Sequence, residues 1–291
     1  MPSRIALATC AEFPDLDAEG PLLTKALSEL GVQAEPVVWT DPDAHWSSYD
    51  AVVVRATWDY HSRRDEFLEW TDRVAAVTRL ANPVDVLRWN TDKTYLRELS
   101  EAGLPVVETT WLYPGDTFAA PTAGEYVVKP AVSAGSKDTN RYVAGEHDDL
   151  ASDHATRLLD AGRVVMVQPY LDQVDTAGET AMLFFAGEFS HAIRKAPLLQ
   201  RGADPTRALF APERIGARTP SAAELDVARR VLAALPFGPL PYARVDLLPS
   251  ADGPLLLELE LTEPSLFLAY GPGAADRFVA VLAKALASAT V

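Results

Sequence analysis

The segment LLLELELTEPSLF, residues 255–267, constrains the fold more than any other stretch of the chain. Its first half has the leucine density of a buried strand, yet it carries Glu258 and Glu260, with Glu263 just beyond. Carboxylates are rarely buried unless they are paired or bound to metal. Side chains alternate along a strand, so Glu258 and Glu260 share one face. Residues 242–248 read as the partner strand of a hairpin turning at Ser250-Ala251-Asp252-Gly253. That pairing sets Asp246 about opposite Glu258, with Arg244 on the same face as Asp246. Like charges facing one another across a strand pair are destabilising, and a divalent cation removes the penalty. Oxygen ligands without His or extra Cys suit Mg²⁺ better than Zn²⁺. The plain alternative is a half-exposed hairpin with an acidic outer face.

The first 85 residues have a different rhythm. Residues 4–9 (RIALAT), 34–39 and 49–55 (YDAVVVR) read as strands, and residues 21–30 and 65–77 as helices between and after them. Unbroken valines suit a strand buried on both faces of a parallel sheet, so an open α/β domain is expected over residues 1–85. In such sheets ligands sit beyond the carboxyl ends of the strands. The loops at residues 9–15 and 55–61 qualify, and the second, RATWDYH, offers Arg55, Asp59 and Tyr60 as substrate contacts. Packing roles for Trp58 and Tyr60 are the alternative. Cys10 is read as a small buried hydrophobe near the first loop.

Residues 90–99 (NTDKTYLREL) read as a helix. Strands follow at 126–130 (YVVKP), 163–170, 179–185 and 189–194, with a Ser/Gly loop, AVSAGSKDT, at residues 131–139. A helix over 221–235 opens on a Ser with Glu three residues on, a capping box, and a last helix covers 276–287. This middle and end look mixed and antiparallel. The overall class is α/β followed by α+β, with the boundary near residues 82–90.

The net charge of −15 argues against a nucleic-acid backbone as partner. No apolar run reaches the length of a membrane span, and the first residues lack a signal peptide's apolar core. A single cysteine excludes an intrachain disulfide. Together these features indicate a cytoplasmic chain with no membrane partner. There is no G-x-S-x-G elbow and no Walker loop, and the five histidines show neither metal nor triad spacing. His191 reads as structural, while His61 stands open between surface and substrate site.

The motifs NTDK with Lys93, VVKP with Lys129, SAGS at residues 133–136, MVQPY at 166–170, Gly178-Glu179, RVD at 244–246 and ELE at 258–260 occur in an order that resembles the ATP-grasp superfamily. The spacing is similar to that of glutathione synthetase-type ligases, over about residues 85–270. The TWDY loop and the LTEPSLF end resemble the actinobacterial subgroup that contains D-cycloserine synthetase, which implies a role in antibiotic biosynthesis. The resemblance implies an ATP-grasp fold in which a substrate domain (1–85) precedes a lid subdomain (86–170) and a metal-bearing subdomain (171–291), the last two clasping ATP.

By the same resemblance, Lys93 and Lys129 contact ATP phosphates, and Ser133, Ala134, Gly135 and Ser136 form the lid over them. Gln168, Pro169 and Tyr170 meet adenine. Glu179 binds ribose, with Asp175 as rival. Asp246, Glu258 and Glu260 hold one or two Mg²⁺ ions. Arg194 stabilises the transferring phosphoryl group, with Lys195 and Arg244 as alternatives. Many relatives read E-x-N where this chain reads E-x-E. A second lid candidate is the Gly- and Pro-rich stretch at 196–212.

The implied reaction phosphorylates a small-molecule, amino-acid-like carboxylate for attack by an amine. A two-substrate ligase, an intramolecular ring closure and a non-catalytic ATP-binding protein stay open. The partners are small molecules, with a second copy of the chain also open.

Overall fold

Consecutive buried valines and flanking helices produce the N-terminal sheet. In this computed structural model, which describes residues 3–199, 201 and 214–287, strands β1 (Arg4–Thr9), β2 (Gln33–Val38), β3 (Ala51–Ala56) and β4 (Arg79–Ala81) form a parallel sheet. Its order is β2-β1-β3-β4. Every residue of β3 is buried, Arg55 included, and its valines suit burial on both faces. Helix α1 (Gly20–Glu29) buries Leu23 and Leu27 in the core on one side. On the other side α2 (Arg64–Ala75) packs Phe67 and Trp70 against Trp39. Burying each large apolar side chain of this kind contributes roughly 1.5–3 kcal/mol.

Residues 90–99 do not form the single helix expected. Helix α3 (Val84–Asn90) ends there, and α4 (Tyr95–Glu101) begins after a break containing Lys93. The break has local causes. Asp92 Oδ1 accepts from Thr94 N at 3.0 Å, and Lys93 N donates to Ala131 O at 3.0 Å.

The middle sheet, β5-β8-β6-β7, is antiparallel. It comprises β5 (Thr110–Leu112), β6 (Glu125–Pro130), β7 (Asn140–Val143) and β8 (Val165–Pro169), covered by α5 (Asp148–Asp160). A short helix, α6 (Val174–Ala177), leads into the C-terminal sheet. That sheet contains β9 (Glu179–Phe185), β10 (Glu188–Lys195), β11 (Ile215–Arg218), β12 (Tyr242–Leu248) and β13 (Leu255–Glu260), in the order β11-β10-β9-β12-β13.

Helix α7 (Ala222–Ala233) carries the expected capping box. Glu224 N donates to Ser221 Oγ at 3.2 Å, and Ser221 N donates to Glu224 Oε2 at 2.7 Å. Such a cap contributes about 1 kcal/mol. The last helix, α8 (Ala274–Ala287), packs Phe278 between the N-terminal and C-terminal sheets, against Phe185 and Tyr242. No helix among the described residues is long and apolar enough to cross a membrane.

Edge strand β13 is shielded from stray pairing. Leu256 N donates to Pro105 O, and Val107 N to Leu256 O. Asn90 holds Leu259 O and Leu261 N, both at 2.7 Å, and Tyr95 Oη donates to Leu259 O at 2.8 Å. The α3–α4 break is thereby tied to β13, which brings Lys93 to Glu258.

Candidate active site

A cavity of about 460 Å³ opens between the middle and C-terminal sheets. The hairpin register sets its floor. Asp246 lies directly opposite Glu258, and Arg244 opposite Glu260. All four side chains line the cavity. The carboxylates do not face one another bare. Lys195 Nζ donates to Asp246 Oδ2 at 2.8 Å and stands 2.8 Å from Glu179. Arg244 Nε donates to Asp246 Oδ1 at 2.9 Å, and its guanidinium also pairs with Glu260. Lys93 Nζ lies 3.1 Å from Glu258 and donates to Ser133 O at 2.6 Å. Anions and cations therefore alternate across the floor.

These environments shift the titrations. Burial opposes the charge of Asp246, but Arg244 and Lys195 together hold its carboxyl well below the usual range. Burial pushes Glu260 up to about 7; Arg244 opposes the shift, while Glu258 and Asp246 add to it. Glu263 is raised well above the ordinary value, first by burial and then by Glu260. Burial lowers Lys129 to about 8.

The donor set fits Mg²⁺. The cavity is lined by five carboxylates (Glu179, Asp246, Glu258, Glu260, Glu263) against four cations (Lys93, Lys129, Lys195, Arg244), and acids raised in this way gain from a further cation. Among the described residues no three Asp, Glu, His or Cys side chains are grouped as a ready metal cage. Mg²⁺ needs none, since it commonly takes one or two carboxylates and completes its shell with phosphate and water oxygens.

The Ser/Gly loop closes one side. Ser133, Ala134, Gly135 and Ser136 all line the cavity. Gly135, Ser136 and Asp138 have left-handed φ of 59°, 59° and 53°. Such turns leave backbone N–H groups free to converge on an anion. The loop is anchored from behind, where Arg163 donates to Asp138 at 2.8 Å and to Val132 O at 2.6 Å. Gln168, Pro169 and Tyr170 line the cavity beside the apolar Val107, Val127, Leu248 and Leu257, a slot suited to a flat ring. Tyr170 N is already taken by Glu125 O at 2.8 Å.

Four of the residues singled out from the sequence do not line the cavity. Arg194 precedes Lys195 on β10, so the two point to opposite faces. Its guanidinium caps α6, donating to Ala177 O at 2.7 Å and Thr176 O at 2.9 Å. Gly178, at φ 75°, sits against it, and a Cβ there would lie 2.6 Å from Lys195 O. Asp175 is taken by Tyr170 Oη at 2.5 Å and by Arg141. Asp59 accepts from Trp39 Nε1 at 2.7 Å and pairs with Arg63 at 2.9 Å. Arg55 is buried behind the 263–268 segment, donating to Pro264 O at 2.9 Å. Tyr60 does line the cavity.

Trp58, Asn90, Glu263, Ser265 and Phe267 also line it and carried no site assignment in the sequence reading. Of the second lid candidate, residues 196–199 lie along the cavity, and 200 and 202–212 fall outside the described residues. Cys10 is fully buried. His191 is structural, with Nε2 between Leu266 O and Phe267 O at 2.9 and 3.1 Å.

Comparison with known proteins decides the family. Residues 5–82 match the model of the D-cycloserine synthetase DcsG N-terminal domain. The chain is 40% identical to the cycloserine biosynthesis protein DcsG of Streptomyces lavendulae, over 97% of this chain and 98% of that one. The chain belongs to the D-cycloserine synthetase family of ATP-grasp ligases. The crystal structure of D-cycloserine synthetase DcsG superposes with a TM-score of 0.89 at 39% identity, covering 98% of this chain and 100% of the other. D-alanine–D-alanine ligase from Bacillus anthracis, solved with ATP, gives a TM-score of 0.68 at 13% identity over 98% of both chains. The latter shares the fold, and the ATP-grasp expectation is thereby met. As a family member the chain is an ATP-dependent ligase that forms C–N bonds.

Proposed function

We propose that the chain takes Mg²⁺ and ATP in this cavity, phosphorylates the carboxylate of an amino-acid-like substrate, and closes that substrate into a ring of the cycloserine type. The carrying observation is the row Lys93–Glu258–Asp246–Lys195, which lines one cavity with the Ser/Gly loop. The full-length likeness to DcsG favours ring closure over joining two substrates. The net charge of −15 supports small-molecule partners.

Residues 1–85 serve as the substrate-side domain, 86–170 as the lid and 171–291 as the metal-bearing part. Lys93 and Lys129 hold phosphates, and the N–H groups of residues 133–136 cover them. The slot at Gln168–Tyr170 takes adenine and Glu179 the ribose hydroxyls. Asp246, Glu258 and Glu260 would hold Mg²⁺, which when bound neutralises charge on the phosphate oxygens. Lys195 and Arg244 stabilise the transferring group. A substrate carboxylate oxygen attacks the γ-phosphorus and ADP leaves with the electrons of the broken P–O bond. A second substrate nitrogen, carried on the O-substituent and distinct from the amino group, then attacks the acyl carbon, phosphate departs with that C–O bond pair, and the nitrogen loses a proton to solvent. Water must be excluded meanwhile, a task for the anchored loop.

ADP formation with Mg²⁺ across D- and L-amino acids and their O-substituted derivatives, singly and in pairs, tests this. ADP from one compound alone is expected. ADP only from pairs would replace ring closure with two-substrate ligation, and ATP binding without turnover on any compound would favour a non-catalytic role.

A further inference from the structure

Glu263 lies three residues beyond the last β13 carboxylate and has none of the roles above. It is only 7% exposed, yet it lines the cavity. Among the described residues its carboxylate has no hydrogen-bond or ion-pair partner. The same holds for the hydroxyl of Tyr60, which is 5% exposed and lines the same cavity. Of the charges near Tyr60, Glu263 acts on it most strongly.

The backbone around Glu263 is fixed by hydrogen bonds from side chains of other elements. Trp58 Nε1 donates to Glu263 O at 3.1 Å, Arg55 to Pro264 O at 2.9 Å, and Arg244 to Ser265 O at 3.2 Å. Glu19 accepts from Leu266 N at 2.8 Å and Leu268 N at 2.6 Å. With its main chain held by four side chains, the segment leaves the Glu263 carboxylate to the cavity. A buried carboxylate without a partner is costly, and an arriving cation offsets that cost. The Trp58 and Phe267 rings line the cavity as well, and aromatic faces attract cations. A phosphate would be repelled from this end.

We infer that Glu263, with Tyr60 and the two rings, is the recognition site for the substrate's ammonium group. The inference rests on the cycloserine-type reading of the cavity. The test is calorimetric binding, with Mg²⁺ and ADP present and at slightly acidic pH, of two probes: D-cycloserine and isoxazolidin-3-one, the same ring without its amino group. Wild type is expected to bind D-cycloserine about tenfold or more tightly than the bare ring, the worth of one hydrogen bond to a charged group. Glu263→Gln, of the same shape, should bring the two within about threefold. Tyr60→Phe should remove a smaller part of the discrimination, and it decides the matter if Glu263→Gln does not fold.

Full discrimination retained in either folded variant overturns the assignment. It would leave Glu263 to another task, such as metal binding. Failure of wild type to bind either ring overturns the cycloserine reading and the ammonium site with it. Binding of both rings equally by wild type overturns the ammonium site alone.

Discussion

Strand β3, AVVVRA, and strand β13, LLLELE, each set charge into an apolar run but in different places. In β3 the lone charge, Arg55, comes near the carboxyl end, and its guanidinium leaves the sheet for Pro264 O and Glu19, 3.7 Å away. In β13 two glutamates lie on the face that borders the cavity, answered by Lys93 and Arg244. Helices cover both faces of the parallel sheet, and its fully buried strand β3 keeps its one charge near the carboxyl end. One face of β13 borders the cavity, and its charges are set there. The N-terminal sheet is thus built for stability and β13 for chemistry, and substitutions in the two should fail differently.

The largest effect is expected from Glu258→Gln, which should cut turnover on the order of 10²–10³-fold. Its unfolding midpoint should stay close to wild type, because Lys93 keeps Ser133 O as a partner. Steady-state ADP release and thermal denaturation read both. Unchanged turnover would remove the metal role. Leu7→Ala in β1 should do the reverse. Leu7 is fully buried, so the cavity left should cost about 2–5 kcal/mol in urea unfolding, with turnover per folded molecule retained. Equal damage to both quantities by either variant would erase the contrast between the strands.

A third effect sharpens the comparison in the middle sheet. Burial lowers His154 to about 4 from an ordinary 6.5. The unfolded chain therefore binds its proton first as pH falls, so stability is full above about pH 6.5 and is lost on the way down to about pH 4. The loss amounts to roughly 3–4 kcal/mol at most, by the conversion of about 1.4 kcal/mol per pKa unit. His154→Gln should flatten unfolding against pH in that window, and an unaltered slope would contradict the burial of a neutral ring. The smallest effect is Lys129→Ala, expected to weaken ATP binding by about tenfold in calorimetry. If ATP affinity holds, the phosphate contact is wrongly assigned.

The hairpin was legible because a period of two and a Ser/Asp/Gly turn fix its register together; Asp246 stands opposite Glu258 as that pairing requires. Bounds of β1, β9 and β12 match for a related reason, since each is a short apolar run closed by turn residues. The split of residues 90–99 was not legible. It depends on Asn90 and Tyr95 reaching β13, contacts more than 160 residues away in sequence. Helix α5 is hard to see in the sequence because its buried face begins with Ala151, His154 and Ala155, small or polar residues that mark the helical period only weakly before Leu158 and Leu159.

In the site, motif order picked out Lys93, Lys129, Asp246, Glu258 and Glu260, all of which line the cavity. It could not choose between Arg194 and Lys195. Alternation on β10 makes that choice once one of them is seen to reach Asp246. Asp175 was a fair rival to Glu179 by spacing alone, and its capture by Tyr170 and Arg141 is a tertiary matter. Trp58 and Glu263 were visible as residue types. Their convergence requires the N-terminal loop to fold back over the C-terminal sheet, which the hydrogen bond from Trp58 to Glu263 O records.

The central claim is that a carboxylate is activated by phosphoryl transfer in the cavity above β12 and β13. The most direct measurement uses the amino-acid substrate that supports ADP formation, labelled with ¹⁸O in its carboxylate. Released phosphate is then analysed by ³¹P NMR. One labelled oxygen in each phosphate is the expected result, because the attacking carboxylate oxygen leaves with phosphorus. Phosphate free of label, at the same rate of ADP formation, would contradict acyl phosphate chemistry in this site.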